Sequence, residues 1–191
     1  MRKECAFRDS VDHYLKEYRE ILSRMIQGMR EAELTDSISH NFIVQMIPHH
    51  RAAIEMSESI LKYTSNEPLK NIAEKIILEQ TKSIENMLEI KCHCEKVVNS
   101  CEEINIYQCR TKQILQTMFS EMERAYSDNR IDCDFMREMI PHHFGAVRMS
   151  KNALGFPICS DLKPILDAII TSQEKGICQM QKLLSCLHCK M

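Results

Sequence analysis

The sequence predicts an all-α protein, six helices arranged as two tandem three-helix repeats, and three observations carry that prediction. Turn-forming material is scarce. The 191 residues include only 4 Gly and 5 Pro beside abundant Ile, Leu, Met, Glu and Lys, which suits helices and leaves little for the turns of an all-β fold. Apolar residues recur at helical rather than alternating spacing through each long segment. Finally, the chain matches itself when slid by 93 positions: residues 42–57 (FIVQMIPHHRAAIEMS) align without a gap on 135–150 (FMREMIPHHFGAVRMS), with nine of sixteen positions identical.

The same offset pairs Leu69, Ile72, Ile76, Gln80, Ile84 and Met87 with Leu162, Ile165, Ile169, Gln173, Ile177 and Met180, and Met25 and Met29 with Met118 and Met122. A period this long exceeds a solenoid module and reads as a duplicated domain. Residues 1–98 form the first repeat and 99–191 the second. Two copies with identical buried faces are expected to pack together as one pseudo-two-fold globule, as a homodimer would.

The first helix is expected from about Ser10 to Glu33, with an apolar face through Val11, Leu15, Tyr18, Leu22, Met25 and Met29. Its counterpart runs from about Glu102 to Tyr126. The second helix is expected from Asn41, as N-cap, to Tyr63, matched by Asp134 to Leu154 with Asp132 or Asp134 in the capping role, and Gly155-Phe156-Pro157 stops that copy. The third opens at Asn66 or Ser160 and continues to ends rich in Cys and His. Pro48 and Pro141 stand inside the second helices, where a proline removes an amide donor and crowds the carbonyl four residues back, at roughly 3 kcal/mol. Either the helix bends there and re-aims the next two side chains, or it starts late with proline in its first turn.

Several classes are disfavoured. A net charge of −2 with interleaved signs leaves no basic face for nucleic acid or an anionic membrane. No 18-residue apolar run exists, and the charged start Met1-Arg2-Lys3-Glu4 lacks the apolar stretch of an export signal, so a cytoplasmic protein is expected. Ten Cys in such a chain are expected to be mostly reduced. The clusters Cys92-His93-Cys94 and Cys186-Leu187-His188-Cys189 are then candidates for zinc or copper(I), provided that Cys92, Cys94, Cys186 and Cys189 come together.

The chemistry concentrates in the Met-Ile-Pro-His-His element. At 100° per residue, His49, His50, Ala53, Met56 and Ser57 all lie within about 80° of Met46, on the face that also holds Ile47, Ile54, Ile60 and Leu61, with Arg51, Glu55 and Glu58 opposite. Both histidines of each pair therefore point into the bundle, and small Ala53 and Ala146 leave room above a ring. Ten of the thirteen Met fall into matched pairs. Core methionine is usually a gap-filler, but imidazole joined to thioether is the soft donor set that suits copper(I). Di-iron bundles place Glu three residues before His; here Met46 and Met139 occupy that position, which argues against iron chemistry.

These residues, Phe42-x3-Met46-Ile-Pro-His49-His50-x2-Ala53-x2-Met56-Ser57 and Phe135-x3-Met139-Ile-Pro-His142-His143-x2-Ala146-x2-Met149-Ser150, resemble the signature of the domain of unknown function 305 family, here in tandem. The resemblance implies a ferritin-like helical bundle without established enzymatic activity, some members being exported copper-binding proteins. It nominates Met46, His49, His50 and Met56 with Met139, His142, His143 and Met149 as metal ligands; the internal repeat, not the resemblance, adds Met25, Met29, Met87, Met118, Met122 and Met180 as further donors. This chain departs from it in lacking an export signal and in having Asn41 where the second copy has Asp134.

The leading reading is a copper-binding protein that buffers or carries the ion, with a metal ion as its partner and a homo-oligomer through helix faces as an option. The alternative is a structural or protein-interaction module whose His pairs only satisfy buried hydrogen bonds. An enzyme is the weakest reading, since no nucleophile–base pair, carboxylate dyad or phosphate loop is visible.

Overall fold

The computed structural model describes residues 2–189, with side chains from Asp9 onward. Six helices follow one another: α1 (Arg2–Arg30), α2 (Ile38–Leu61), α3 (Glu67–Cys94), α4 (Cys101–Glu123), α5 (Ile131–Leu154) and α6 (Leu162–Cys186). There is no strand among the described residues, so the all-α expectation holds. None of the helices is long and apolar enough to cross a membrane.

Within each half the middle helix is the hub: α2 packs against α1 and α3, and α5 against α4 and α6. The halves meet where α2 crosses α5 and α3 meets α6. Most of their stability comes from burying one apolar stripe each rather than from helix propensity. That stripe includes Tyr18, Leu22, Met25 and Met29 in α1, Leu69, Ile72, Ile76 and Met87 in α3, and Leu162, Leu166, Ile169 and Met180 in α6.

The helix starts differ instructively from the sequence reading. Ser37, not Asn41, caps α2, its hydroxyl accepting from the His40 amide. Asn41 sits a turn inside and ties down the preceding loop, accepting from the Thr35 amide at 2.7 Å and donating to the Thr35 carbonyl at 2.9 Å. Its counterpart Asp134 likewise holds a loop, accepting from Ser127 Oγ at 2.7 Å, while Arg130 stands at the N-cap of α5 and makes no side-chain capping bond. Short polar side chains bond readily to nearby backbone in either setting, which is why the pattern misled by one turn. Asn66 does cap α3. Asp161 rather than Ser160 flanks α6, and α4 opens on a capping box between Ser100 and Glu103.

The expectation of mostly reduced cysteines holds at five of the described positions and fails at four. Cys94 is bonded to Cys159, with Cα atoms 5.2 Å apart, and Cys133 to Cys189, with Cα atoms 6.1 Å apart. Cys92, Cys101, Cys109, Cys178 and Cys186 are free and exposed; the Cys5 side chain lies outside the described residues. With Cys94 and Cys189 in two separate disulfides, the four cysteines of the terminal clusters do not assemble a shared zinc or copper(I) site. The first bond joins the end of α3 to the loop before α6, and so crosses between the halves.

Candidate metal centre

Both prolines lie well inside continuous helices rather than at late starts: α2 begins at Ile38, before Pro48, and α5 at Ile131, before Pro141. The neighbouring helix accommodates the first ring. A Cβ on Gly28 of α1 would come within 3.0 Å of the Pro48 Cβ, so only glycine lets α1 approach the Pro48 ring this closely.

All four histidines that follow the prolines are buried, and His49, His50 and His142 have at most a trace of surface. His49 and His142 stack, ring centroids 3.6 Å apart and planes 28° from parallel. Each also bonds to the other's backbone: His49 Nε2 donates to the His142 carbonyl at 3.2 Å, and His142 Nε2 to the His49 carbonyl at 3.1 Å. The reciprocity marks a local two-fold relation between α2 and α5. It has a chemical consequence, because a carbonyl can only accept. Nε2 must carry the proton in both rings, and the lone pair is left on Nδ1. Those two Nδ1 atoms are buried and without a hydrogen-bond partner, as is Nδ1 of His50.

The environment keeps the rings neutral. Burial pushes His49 well below the usual imidazole range, and His142, His50 and His143 nearby push it further. Burial lowers His50 to about 3, with His142 adding to it, and His142 to about 4 against the opposing bond to the His49 carbonyl. His143 is likewise held well below its ordinary value, first by burial. A dry site that refuses protons but offers lone pairs matches what a metal requires of imidazole.

The outer histidines differ in their surroundings. His50 Nε2 lies 3.1 Å from Ser83 Oγ on α3. The position corresponding to Ser83 on α6 is Gly176, and a Cβ there would come within 3.0 Å of the His143 ring; α6 thus presses its backbone onto the ring where α3 supplies a hydroxyl. Gln80 and Gln173, also a matched pair, are buried near these rings at the α3–α6 seam, with both side-chain polar atoms of Gln80 and Oε1 of Gln173 unpartnered.

Every methionine nominated by the repeat is buried: Met25, Met29, Met46, Met56 and Met87, and Met118, Met122, Met139, Met149 and Met180. Met46 precedes His49 by three positions and His50 by four, which makes it a surface neighbour of both on the helix, and Met139 stands likewise to His142 and His143. Met118 also packs so closely under Gly145 that a Cβ there would overlap its sulfur. The four histidines do not themselves form a three-nitrogen site: among the described residues, the one group of three or more His, Cys, Asp or Glu with ligand atoms within 4.8 Å of one another is His93, Cys159 and Asp161. An ion at the histidines would need sulfur to complete its shell.

Sequence reasoning missed the cross-bonding of His49 with His142, the Ser83 hydroxyl, and Glu138, whose buried carboxylate accepts from Tyr14 Oη at 2.6 Å. The 93-residue offset held a clue to the second, since Ser83 and Gly176 are where the otherwise matched stripes part.

Fold and site together define a helical bundle with a layer of buried, neutral imidazoles among buried thioethers. The family model described as domain of unknown function (DUF305) matches residues 39–184, a span that includes both motif copies, and the protein belongs to that family. No curated protein matches. Among solved structures, the chain is similar to CopM in the Ag-bound form obtained by soaking, at 27% identity and a TM-score of 0.57, covering 79% of this chain and 97% of that one. It is similar to CopM in the Ag-bound form obtained by co-crystallization, at 26% identity and a TM-score of 0.56, covering 77% and 95%. A DUF305 fragment from Deinococcus radiodurans, at 19% identity and a TM-score of 0.56 over 78% and 95%, shares the fold.

Proposed function

We propose that this protein binds a soft monovalent metal ion, copper(I), and buffers or carries it in the layer where α2 crosses α5. The observation that carries the reading is the pair of orphaned Nδ1 lone pairs on His49 and His142, held neutral and dry. Imidazole nitrogen with thioether sulfur is a borderline-to-soft donor set, and the silver held by the similar CopM structures supports a soft ion. In each half a histidine of the pair acts with Met46 and Met56, or with Met139 and Met149. Met25, Met29 and Met87, or Met118, Met122 and Met180, stand as further donors. The bound ion supplies a soft Lewis acid; the protein supplies a site that excludes water.

The test is a competition titration against a copper(I) chelator, comparing the native chain with the double variant Met46→Leu, Met139→Leu. Volume is preserved, so each change should cost less than about 1.5 kcal/mol of stability, whereas affinity should fall at least tenfold. Equal affinities would remove these sulfurs from the ligand set. A native chain that binds no copper(I) would favour a second reading, in which the His49–His142 cross-bonds serve only to lock α2 to α5.

A further inference from the structure

At one end of the bundle, away from the crossing of α2 and α5, a second set of donors gathers around the Cys94–Cys159 disulfide. A His93 ring nitrogen, Cys159 Sγ and an Asp161 carboxylate oxygen lie within 4.8 Å of one another, and Cys94 Sγ is bonded to Cys159. His93 and Asp161 face solvent, with Nε2 and Oδ2 3.7 Å apart, while both cysteines are buried. We infer that reduction of this disulfide converts the crosslink into a zinc-type site, with Cys94, Cys159, His93 and Asp161 as its four ligands.

The donor count and type fit. Two thiolates, one imidazole and one carboxylate make the four-coordinate shell that zinc favours, whereas the hard carboxylate oxygen suits copper(I) poorly. Cα atoms 5.2 Å apart let two sulfurs reach one ion at about 2.3 Å once the S–S bond is open.

The backbone at both cysteines is held independently of that bond. Ser37 Oγ donates to the Cys94 carbonyl at 3.0 Å, and the Cys159 amide donates to Ser39 Oγ at 2.9 Å. Asn99 links the same region twice, accepting from the Ile38 amide at 3.0 Å and donating to the Pro157 carbonyl at 2.8 Å. Reduction therefore releases two sulfurs whose main chain stays in place.

The chemistry balances with a dithiol reductant. It gives two electrons and two protons to the S–S bond, leaves as its own cyclic disulfide, and yields thiols at Cys94 and Cys159. The ion then displaces both thiol protons to solvent. The crosslink between the halves is thus either covalent or metal-mediated according to redox state, and it does not depend on the His/Met layer.

The experiment is a cobalt(II) titration of the full chain, oxidised and after anaerobic reduction with removal of the dithiol, followed by displacement with zinc(II). The reduced protein should show thiolate-to-cobalt charge transfer and tetrahedral ligand-field bands at one ion per chain, and the oxidised protein should show neither. His93→Ala and Asp161→Ala, both at exposed positions, should each weaken zinc binding about a hundredfold, since even losing an outer-shell partner costs ten- to a hundredfold, with helical content by circular dichroism unchanged. Cys92→Ser and Cys186→Ser should leave the signal intact. A reduced protein without the thiolate band, one whose band vanishes with Cys92 or Cys186, or variants of His93 and Asp161 that bind zinc as tightly as the native chain would each overturn the assignment.

Discussion

The two halves of this bundle agree at their centre and differ one layer out. His49 and His142 make the same stacked, cross-bonded contact from either side, and the ten matched methionines are all buried. Around them the supports diverge. Ser83 meets His50 with a hydroxyl where Gly176 meets His143 with backbone. Gln45 donates to the Met29 carbonyl at 3.3 Å where Glu138 takes a proton donor from Tyr14. His40 lies 3.8 Å from Glu95 near the position where the second half carries the Cys133–Cys189 disulfide. The inner layer is constrained from two sides, by its own half and by the opposite one, so a change there must suit both. The outer supports are not so paired: Ser83 meets a histidine of its own half, whereas Tyr14 of α1 reaches Glu138 of α5 with no matching contact in return.

Acid exposes the shared layer most strongly. In the metal-free chain, burial depresses all four imidazoles, whereas the unfolded chain takes up protons near 6.5. Each histidine therefore contributes stability that is complete above pH 6.5 and is lost as pH falls toward the folded values, about 3 for His50 and about 4 for His142. The loss is about 1.4 kcal/mol per pH unit per group. The histidine contribution to the urea midpoint should be level above pH 7, and midpoints should fall steeply below 6.5; a flat profile from pH 6.5 down to pH 5 would mean that the rings are not held neutral.

Truncation tests the symmetry directly. His49→Ala and His142→Ala should each cost about 2 to 4 kcal/mol, and nearly the same amount. The double variant should cost less than the sum by about 1 kcal/mol, because either single change already breaks the stack and one cross-bond. Unequal single costs measured by urea unfolding would show that the layer leans on one half.

The outer layer should respond by half. Burial pushes the Glu138 carboxyl well above the usual carboxylate range, with Asp134 adding to it against the Tyr14 hydrogen bond. A raised carboxyl contributes stability at low pH that is lost as pH rises through its folded value. Glu138→Gln, which installs the residue the first half already has at Gln45, should remove that decline and stabilise the chain at pH 8 by about 1 to 2 kcal/mol. Thermal unfolding from pH 5 to 8 reads the change, and an unaltered alkaline limb would count against the buried-acid account.

The smallest effect separates the outer histidines. Ser83→Ala removes the hydroxyl beside His50 and should cost about 1 kcal/mol. Gly176→Ser makes the halves more alike in sequence, yet should also destabilise, by about 1 kcal/mol, because its Cβ crowds the buried His143 ring at 3.0 Å. A stabilised Gly176→Ser chain would show that the ring can yield.

Much of this was legible from two periodicities. The 3.6-residue period placed His49, His50, Met46 and Met56 on the inward face, and the 93-residue period doubled the prediction; the nominated histidines and methionines are all buried. Features decided by distant partners were hidden. Cys94 pairs with Cys159 across 65 positions and Cys133 with Cys189 across 56, and neither pairing follows the repeat. Asn41 looked like a cap because a capping side chain and a loop-tying one share the same residue types. The His49–His142 contact needed the angle at which α2 crosses α5, which no local pattern encodes.

The order of the two disulfides along the chain has its own consequence. Their spans, 94 to 159 and 133 to 189, interlock rather than nest. A backbone cut between 94 and 133 is bridged by the first bond, one between 133 and 159 by both, and one between 159 and 189 by the second. The oxidised chain from the end of α3 onward is thus a closed covalent circuit that a single protease nick cannot open, whereas the three helices before it have no such protection from these two bonds.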